Sequence, residues 1–388
     1  MKKLLQNIWQ GTTGKRLILG ITCILAFVGF LSLLGVVKGV GAGLDTQSVA
    51  QRWSPEGGAA QISCFFSRNV TFSQDSVMSF EHSLDSALVE ASIVNESENP
   101  GARLWADAYS APGTITLASD RTSVKADAVG IGGDFFLFHP LKLVSGAYFS
   151  GNDVMKDYCV VDEDLAWQLF GSSNIVGQMI TIQDIPHIIV GVVEQGSGKL
   201  AEAAGLDSPV VYVSYETLST YGQSDGITCY EIVMPNPVES YALNYVKENI
   251  GVQDTESVIL ENSSRYSVLS LLKVIGDYGI RAMNGKAIIY PYWENMARGY
   301  EDILAAILVI AGMLLLYSVT LVIIALVIVW RHKTWTARSV YLSLKNRAED
   351  LQEKRWAARK ARKAHKIKEE PKENRKKRGK RNEKMDEA

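Results

Sequence analysis

Gly196-Ser197-Gly198-Lys199 is where this sequence comes nearest to a phosphate-binding loop. Such a loop cradles phosphates on backbone N–H groups and reaches the outer ones with its lysine. The spacing fails here: a Walker loop needs glycine where Val193 stands and Ser or Thr where Leu200 stands. Gly14-Lys15 fails the same test, so no Walker site for ATP is expected, and Gly196–Lys199 reads as a mobile loop. Ser270-Leu271-Leu272-Lys273 has the S-x-x-K spacing of a lysine-activated serine, but no S-D-N or K-T-G accompanies it. Leu269, Leu271, Leu272 and Val274 instead make that stretch a helix interior. Asp162-Glu163-Asp164 offers carboxylates for acid–base work or a metal; the macrodipole equally favours acids in a first helical turn, so a solvated helix N-terminus is expected. His82, His139 and His187 show no ligand spacing, and no H-E-x-x-H occurs. The aromatic run Phe135–Phe138 suits a core or a docking surface. No catalytic residue, metal ligand or cofactor is assigned, and the chain reads as a non-enzyme.

The clearest organisation lies in Leu141–Glu194. Lys142–Ser150 runs to a turn at Gly151-Asn152, and Tyr158–Val161 is a compact β-branched run suited to a buried strand. Asp162–Phe170 places Leu165, Ala166, Leu169 and Phe170 at helical spacing, with Gly171 as the stop. Gln178–Gln183 alternates, Met179 and Thr181 against Ile180 and Ile182. A turn at Asp184–Pro186 leads into a strand over His187–Val193. The stretch is strand, short helix, hairpin.

These residues resemble the MacB-like periplasmic core domain of FtsX-type ABC transporter permeases. The resemblance rests on Gly146-Ala147-Tyr148-Phe149, Leu169-Phe170-Gly171, Gly177 with Ile180, and Val190-Gly191-Val192-Val193-Glu194. Glycines and apolar residues dominate it, so it specifies a fold rather than a chemistry.

Charge segregation fits a membrane protein. The net charge of −2 divides into +4 over residues 1–16, −18 over 17–330 and +12 over 331–388. Leu17–Val37 and Ile303–Trp330 are uncharged runs of 21 and 28 residues, and ~20 apolar residues cross the hydrocarbon layer. The first run exceeds the ~7–15-residue core of a signal peptide and lacks a clear cleavage site, so a retained helix is expected. Basic residues flank both runs on their far sides, which places both termini in the cytoplasm. The expected layout is a flank at 1–16, transmembrane helices at 17–40 and 303–330, an extracytoplasmic domain at 41–302, and a basic cytoplasmic tail at 331–388.

Within the outer domain, strands are expected at Gln61–Phe66, Gly113–Ala118, Ala126–Ile131, Pro209–Val213 and Ile227–Met234. Helices are expected at Asp75–Glu90, Tyr215–Tyr221, Val238–Ile250, Arg265–Ile280 and Trp293–Tyr300. The alternation implies an α+β fold with ferredoxin-like units. Cys64, Cys159 and Cys229 sit in apolar runs and read as small buried hydrophobes. Gly35, Gly39 and Gly43 are spaced for close helix contact. Leu4, Leu5, Ile8 and Trp9 form an amphipathic face before the first span. Asn69, Asn95 and Asn262 open N-x-S/T sites that matter only in a eukaryotic secretory pathway, whereas the resemblance is bacterial. In the tail, Ala348–Lys368 can be helical and Lys372–Ala388 is expected to be disordered. Its basic residues suit anionic lipid rather than specific nucleic acid.

The resemblance implies a cell-membrane subunit that couples a separate cytoplasmic ABC ATPase to an outer domain, by transport or by mechanotransmission. Its permeases commonly have four spans, with the ATPase contact between the second and third. Two spans here imply pairing with another permease chain or a homo-oligomer. The other reading is a membrane-anchored sensor or scaffold that binds a partner through the same outer domain without transport.

Overall fold

The computed structural model describes residues 13–93, 102–281, 286–332 and 341–360. The face at residues 4–9, Asn95 and the tail beyond residue 360 lie outside them. In chain order the first elements are helix α1 (Thr13–Ala42), a 3-10 turn (Asp45–Gln47), α2 (Val49–Trp53), strand β1 (Ala59–Phe66), α3 (Gln74–Glu90), β2 (Ala106–Ala118) and β3 (Ser123–Gly133). There follow α4 (Phe135–Phe138), β4 (Leu143–Gly146), β5 (Tyr158–Asp162), α5 (Glu163–Phe170), β6 (Met179–Ile182), β7 (Ile185–Val193), α6 (Lys199–Ala204) and β8 (Val210–Ser214). The last are α7 (Tyr215–Tyr221), β9 (Gln223–Ser224), β10 (Cys229–Pro235), α8 (Tyr241–Asn249), β11 (Ser257–Glu261), α9 (Val268–Arg281) and α10 (Tyr292–His332). Residues 341–360 are also helical. Ile24–Leu316 is one compact unit; the described parts of Met1–Cys23 and Tyr317–Ala388 form a second.

One end of the sheet has the order β11–β1–β10–β2, every neighbour antiparallel. With α3 between β1 and β2, and α8 between β10 and β11, this is the ferredoxin-like split βαβ expected from the alternation. Its helix-covered face buries Ile62, Cys64 and Phe66 against Phe80, Leu84 and Leu88 of α3 and Ala242 and Val246 of α8. Ser73 starts α3 through a capping box with Ser76. Residues between β2 and β10 continue the sheet as β3–β8–β5–β7–β4, with β3–β8 and β5–β7 parallel. There α5 packs Leu165, Ala166 and Leu169 onto Val161, Val192 and Val211. The β6–β7 hairpin turns on Gln183 and Asp184, whose φ angles of 47° and 67° suit a two-residue turn matched to strand twist.

The differences from expectation have local causes. β2 starts at Ala106 instead of Gly113, because β10 pairs with residues up to Ser110 and β9 takes over at Gly113. Pro112 falls between the two partners, where its missing N–H removes no ladder bond. Gly35 and Gly39 face no neighbour within 4 Å. The close approach is at Gly41 instead, where an added Cβ would lie 2.9 Å from the Tyr266 Cβ. The Gly196–Lys199 loop is docked by the helix that begins at Lys199, since Leu200 sits against Gly299 at 2.6 Å from where a Cβ would lie. Ser270 is at the first turn of α9, bonded to the Ser264 carbonyl and the Ser267 hydroxyl, while Lys273 is exposed. Cys64, Cys159 and Cys229 are fully buried, and burial pushes each thiol well up from its ordinary value.

The largest difference is at the second span. Leu17–Ala42 and Tyr292–Arg331 are helices long and apolar enough to cross a membrane. α10 starts eleven residues before Ile303 and runs unbroken for 41 residues, roughly 60 Å at ~1.5 Å per residue, or about twice the hydrocarbon thickness. Its first three turns do not face lipid: Trp293, Glu294, Ala297 and Glu301 are buried in the outer domain.

Candidate functional site: the ion network at the foot of α10

Helical spacing places Glu294, Arg298 and Glu301 on one face of α10 at i, i+4 and i+7. Arg265, in the turn between β11 and α9, enters that face. Its Nη1 and Nη2 donate to the two Glu294 carboxylate oxygens at 2.7 and 2.8 Å. Its Nε donates to Glu301 at 2.6 Å, and Nη1 also to Gln47 at 3.1 Å. Arg298 donates to Glu294 at 2.8 Å and lies over the Tyr290 ring at 3.7 Å. Arg281 holds the second Glu301 oxygen at 2.6 Å and approaches Asp302 at 3.4 Å. Three arginines thus meet three carboxylates, and the cluster is neutral.

The electrostatics follow from burial and pairing together. Glu294 is 1% exposed; burial alone would raise its pKa, but Arg265 and Arg298 outweigh it and hold the carboxyl below its ordinary value. Burial also opposes the Arg265 charge, and the Glu294 and Glu301 carboxylates more than compensate. The fork geometry suits arginine and would not be met by lysine.

The segment after α1 is tied to the same place. Gln47 accepts from Arg265, Gln61 of β1 donates to the Thr46 carbonyl at 2.8 Å, and Gln61 accepts from the Val49 N–H at 3.1 Å. Tyr266 donates to the Ala297 carbonyl at 3.1 Å and packs over Gly41. Above it, Val37, Leu271, Leu304 and Leu308 form an apolar cluster joining α1, α9 and α10. The chain leaving the first apolar helix and the chain entering the second therefore meet one arginine.

A second buried network continues into the sheet. Asn262 donates to the Ser63 hydroxyl at 2.6 Å, Ser63 donates to Glu231 at 2.7 Å, and His139 Nε2 bonds the other Glu231 oxygen. The His139 ring lies 4.4 Å from that of Trp293 on α10. Ser63, Glu231 and His139 resemble a hydrolase triad in composition only. The serine faces the carboxylate instead of the imidazole, so His139 is not placed to act as its base, and Ser63 is fully buried.

The groups weighed from sequence fall elsewhere. Asp162 is not solvated: it is 1% exposed and caps α5, accepting from the Leu165 and Val210 N–H groups at 2.6 Å each. Burial pushes its pKa up to about 6, and those two bonds offset part of the rise. Glu163 is half-buried and Asp164 exposed. His82 is exposed, and His187 bonds the Ile185 carbonyl at 3.0 Å. Among the described residues no group of three or more His, Cys, Asp or Glu is placed to hold a metal ion. Sequence reasoning missed Arg265, Glu294 and Glu301. The signal that could have found them is the charged i, i+4, i+7 face immediately before an apolar run.

Residues 17–242 match the family model of the MacB-like periplasmic core domain. The chain belongs to this family. It is a membrane protein with an extracytoplasmic α/β domain and two apolar helices. Relatives include the macrolide export ATP-binding/permease protein MacB 2 of Aeromonas hydrophila, 27% identical over 172 residues, covering 42% of this chain and 26% of the relative. The MacB of Shewanella oneidensis is 28% identical over 154 residues, covering 36% and 23%. The chain thus spans about a quarter of the length of these curated relatives. Among solved structures, the periplasmic region of MacB from Actinobacillus actinomycetemcomitans aligns at a TM-score of 0.37 and 17% identity, covering 54% of this chain and 92% of that one. The extracellular domain of the noncanonic ABC-type transporter YknZ from Gram-positive bacteria aligns at 0.34 and 14%, covering 52% and 99%.

Proposed function

We propose that this chain is a non-catalytic membrane subunit of an ABC-type assembly, in which movement of the apolar helices is passed to the outer domain through Arg265. The observation that carries the reading is the shared anchor: Gln47 after α1 and Glu294 and Glu301 on α10 hold the same guanidinium. A displacement of either helix therefore loads the turn after β11, and β11 pairs directly with β1. The relatives' printed names combine an ATP-binding part with a permease, which supports an ABC ATPase as the partner of this membrane part; in this reading the ATPase is a separate cytoplasmic chain. In this reading residues 1–16 and 331–388 lie in the cytoplasm, and the spans occupy 17–40 and 303–330. A second permease chain or a second copy completes the membrane part, and the basic tail meets anionic lipid.

The test is purification from native membranes in mild detergent, with mass spectrometry of the co-purifying chains. A stoichiometric ABC ATPase, lost on deletion of residues 331–388, supports the reading and assigns the contact to the tail. Recovery without an ATPase, repeated after crosslinking in cells, overturns it in favour of a membrane-anchored sensor or scaffold.

A further inference from the structure

α9 carries more apolar residues than its packing uses. At 3.6 residues per turn its side chains fall into three strips. Leu271 and Val274 are buried, and Leu271 joins Val37 of α1 and Leu304 and Leu308 of α10 in one apolar cluster, with Ile275 against it. Ser270, Lys273, Asp277 and Arg281 stand at i, i+3, i+7 and i+11 and form a narrow polar strip. Between the two lie Val268, Leu269, Leu272 and Ile280, 42%, 75%, 52% and 69% exposed. A helix whose apolar arc is wider than its protein contact calls for a second apolar neighbour.

The contacts at its two ends fix where that strip lies. Arg265, just before α9, and Arg281, its last residue, donate to opposite oxygens of Glu301 at 2.6 Å each. A helix of 14 residues rises ~21 Å; run along α10, it would carry Arg281 far from the level of Arg265. α9 therefore lies across α10. Through Arg281 its polar strip turns toward Glu301 and Asp302, on the outer-domain side. Its middle packs with Leu304 and Leu308, one and five residues into the uncharged run that starts at Ile303, and with Val37, where the first uncharged run ends. The exposed apolar strip, turned away from the polar one, faces the same layer as the exposed side chains of Ile303, Val309 and Ile310.

We propose that α9 is an interfacial helix, lying at the boundary between headgroups and acyl chains of the outer leaflet, with Leu269, Leu272 and Ile280 among the lipid chains. Amphipathic helices of this kind sink their apolar face ~5–10 Å into that boundary, which matches the ~8 Å by which Leu308 stands inside the apolar run. The partner is the bilayer itself, and the Glu301 contacts at both ends hold the helix at that depth. The inference rests on both apolar helices crossing the bilayer with the α/β domain outside, and not on ATPase coupling.

The experiment uses the full chain, carrying Cys23→Ala, in vesicles of phosphatidylcholine and phosphatidylglycerol. Leu269→Cys, Leu272→Cys and Ile280→Cys sample the apolar strip, and Lys273→Cys and Asp277→Cys the polar one, each bearing a nitroxide. Cys64, Cys159 and Cys229 are buried and stay unlabelled. Collisions with oxygen, which concentrates in lipid, are compared with collisions with a nickel chelate, which stays in water. Met313→Cys on α10 and Met78→Cys on α3, at side chains 57% and 56% exposed, are the lipid and water standards. The oxygen-to-nickel ratio on the apolar strip should stand several-fold above that at Met78 and approach that at Met313, while the polar strip stays near Met78. A melting curve checks that each labelled protein is folded. A ratio on the apolar strip equal to that at Met78, with Met313 in lipid, overturns the proposal and leaves the spans intact. Protection of the strip from both reagents also overturns it and indicates a second copy or another protein on this face. A water-like ratio at Met313 overturns the spans, and the interfacial helix with them.

Discussion

Replacing Arg265 with methionine should destabilise the outer domain by ~3–5 kcal/mol, the range for removing one partner of a buried ion pair. The structure favours the lower part of that range. Glu294 and Glu301 are 1% and 7% exposed, yet each keeps one other arginine: Arg298 on Glu294 and Arg281 on Glu301. Those arginines are partly exposed, at 28% and 24% of the side chain, so they screen the stranded carboxylates without replacing the bidentate fork. A loss of ~3 kcal/mol corresponds to roughly 6–12 °C in melting temperature for a domain of this size. The assay is thermal melting of the full chain in detergent, read by near-ultraviolet circular dichroism. Arg265→Lys should recover little, because an ammonium cannot serve three acceptors in one plane. Combining Arg265→Met with Glu294→Met and Glu301→Met should recover most of the loss, since an apolar replacement of a whole buried cluster is often neutral. A melting temperature for Arg265→Met within about 1 °C of wild type would refute the buried network, and additive losses in the triple variant would refute the coupling among its members.

Gly41→Ala should cost ~1–3 kcal/mol, because the new methyl meets the Tyr266 Cβ at 2.9 Å; Gly39→Ala, with nothing within 4 Å, should be neutral in the same melting assay. Asp162→Ala should cost at least ~2 kcal/mol in urea unfolding, since it strands two buried N–H groups, and Asp162→Asn should retain part of the loss. Burial pushes the Asp107 carboxyl up to about 8, helped by the neighbouring Glu81 carboxyl, with Tyr230 opposing and Asp134 adding to the rise. An acid raised on folding contributes stability that is complete below its unfolded pKa of ~3.9 and is lost as pH rises through its folded one. Wild-type stability should therefore fall between about pH 4 and 8 with a contribution of at most ~1.4 kcal/mol per pH unit from this group, and Asp107→Asn should flatten that slope. An unchanged slope would remove Asp107 as its source.

Much of the fold was written in local signals. Asp162 before a helical period and Gly171 after it delimit α5 to the residue, and Tyr215–Tyr221 was legible from its spacing alone. The ferredoxin-like order was recoverable from alternation, although nothing local reveals that residues between β2 and β10 extend the same sheet. Pairing of distant strands carries no sequence period, which is also why β4 and the two-residue β9 went unseen. Asp162 was read as solvated because an acid at a helix start usually is; β8 passing beside it, with Val210 N–H aimed at its carboxylate, is a tertiary fact. The candidate site was the least legible part. Arg265 lies 29 residues from Glu294 and 36 from Glu301, and charges flanking an apolar run look like ordinary solvated flanks until the fold encloses them.

Why charges should stand there, when a packed apolar seam can match a buried ion cluster in stability, is answered by the helix that carries them. Below Ile303, α10 presents Glu294, Arg298 and Glu301; above it the same helix buries Leu304, Leu308 and Ala311. An apolar seam displaced by one turn loses packing, because leucine met by alanine leaves a void, but it strands no charge. The arginine fork does strand one. A shift of one turn, ~5.4 Å, carries Glu294 away from Nη1 and Nη2 and Glu301 away from Nε together, leaving an unpaired charge in a dry interior. The network therefore fixes α10 axially against the sheet, next to the packing of Leu304 and Leu308 on α1 and α9. That combination is stiff along the helix axis, which is the direction in which a movement of the membrane segment must be conveyed if the outer domain is to respond to it.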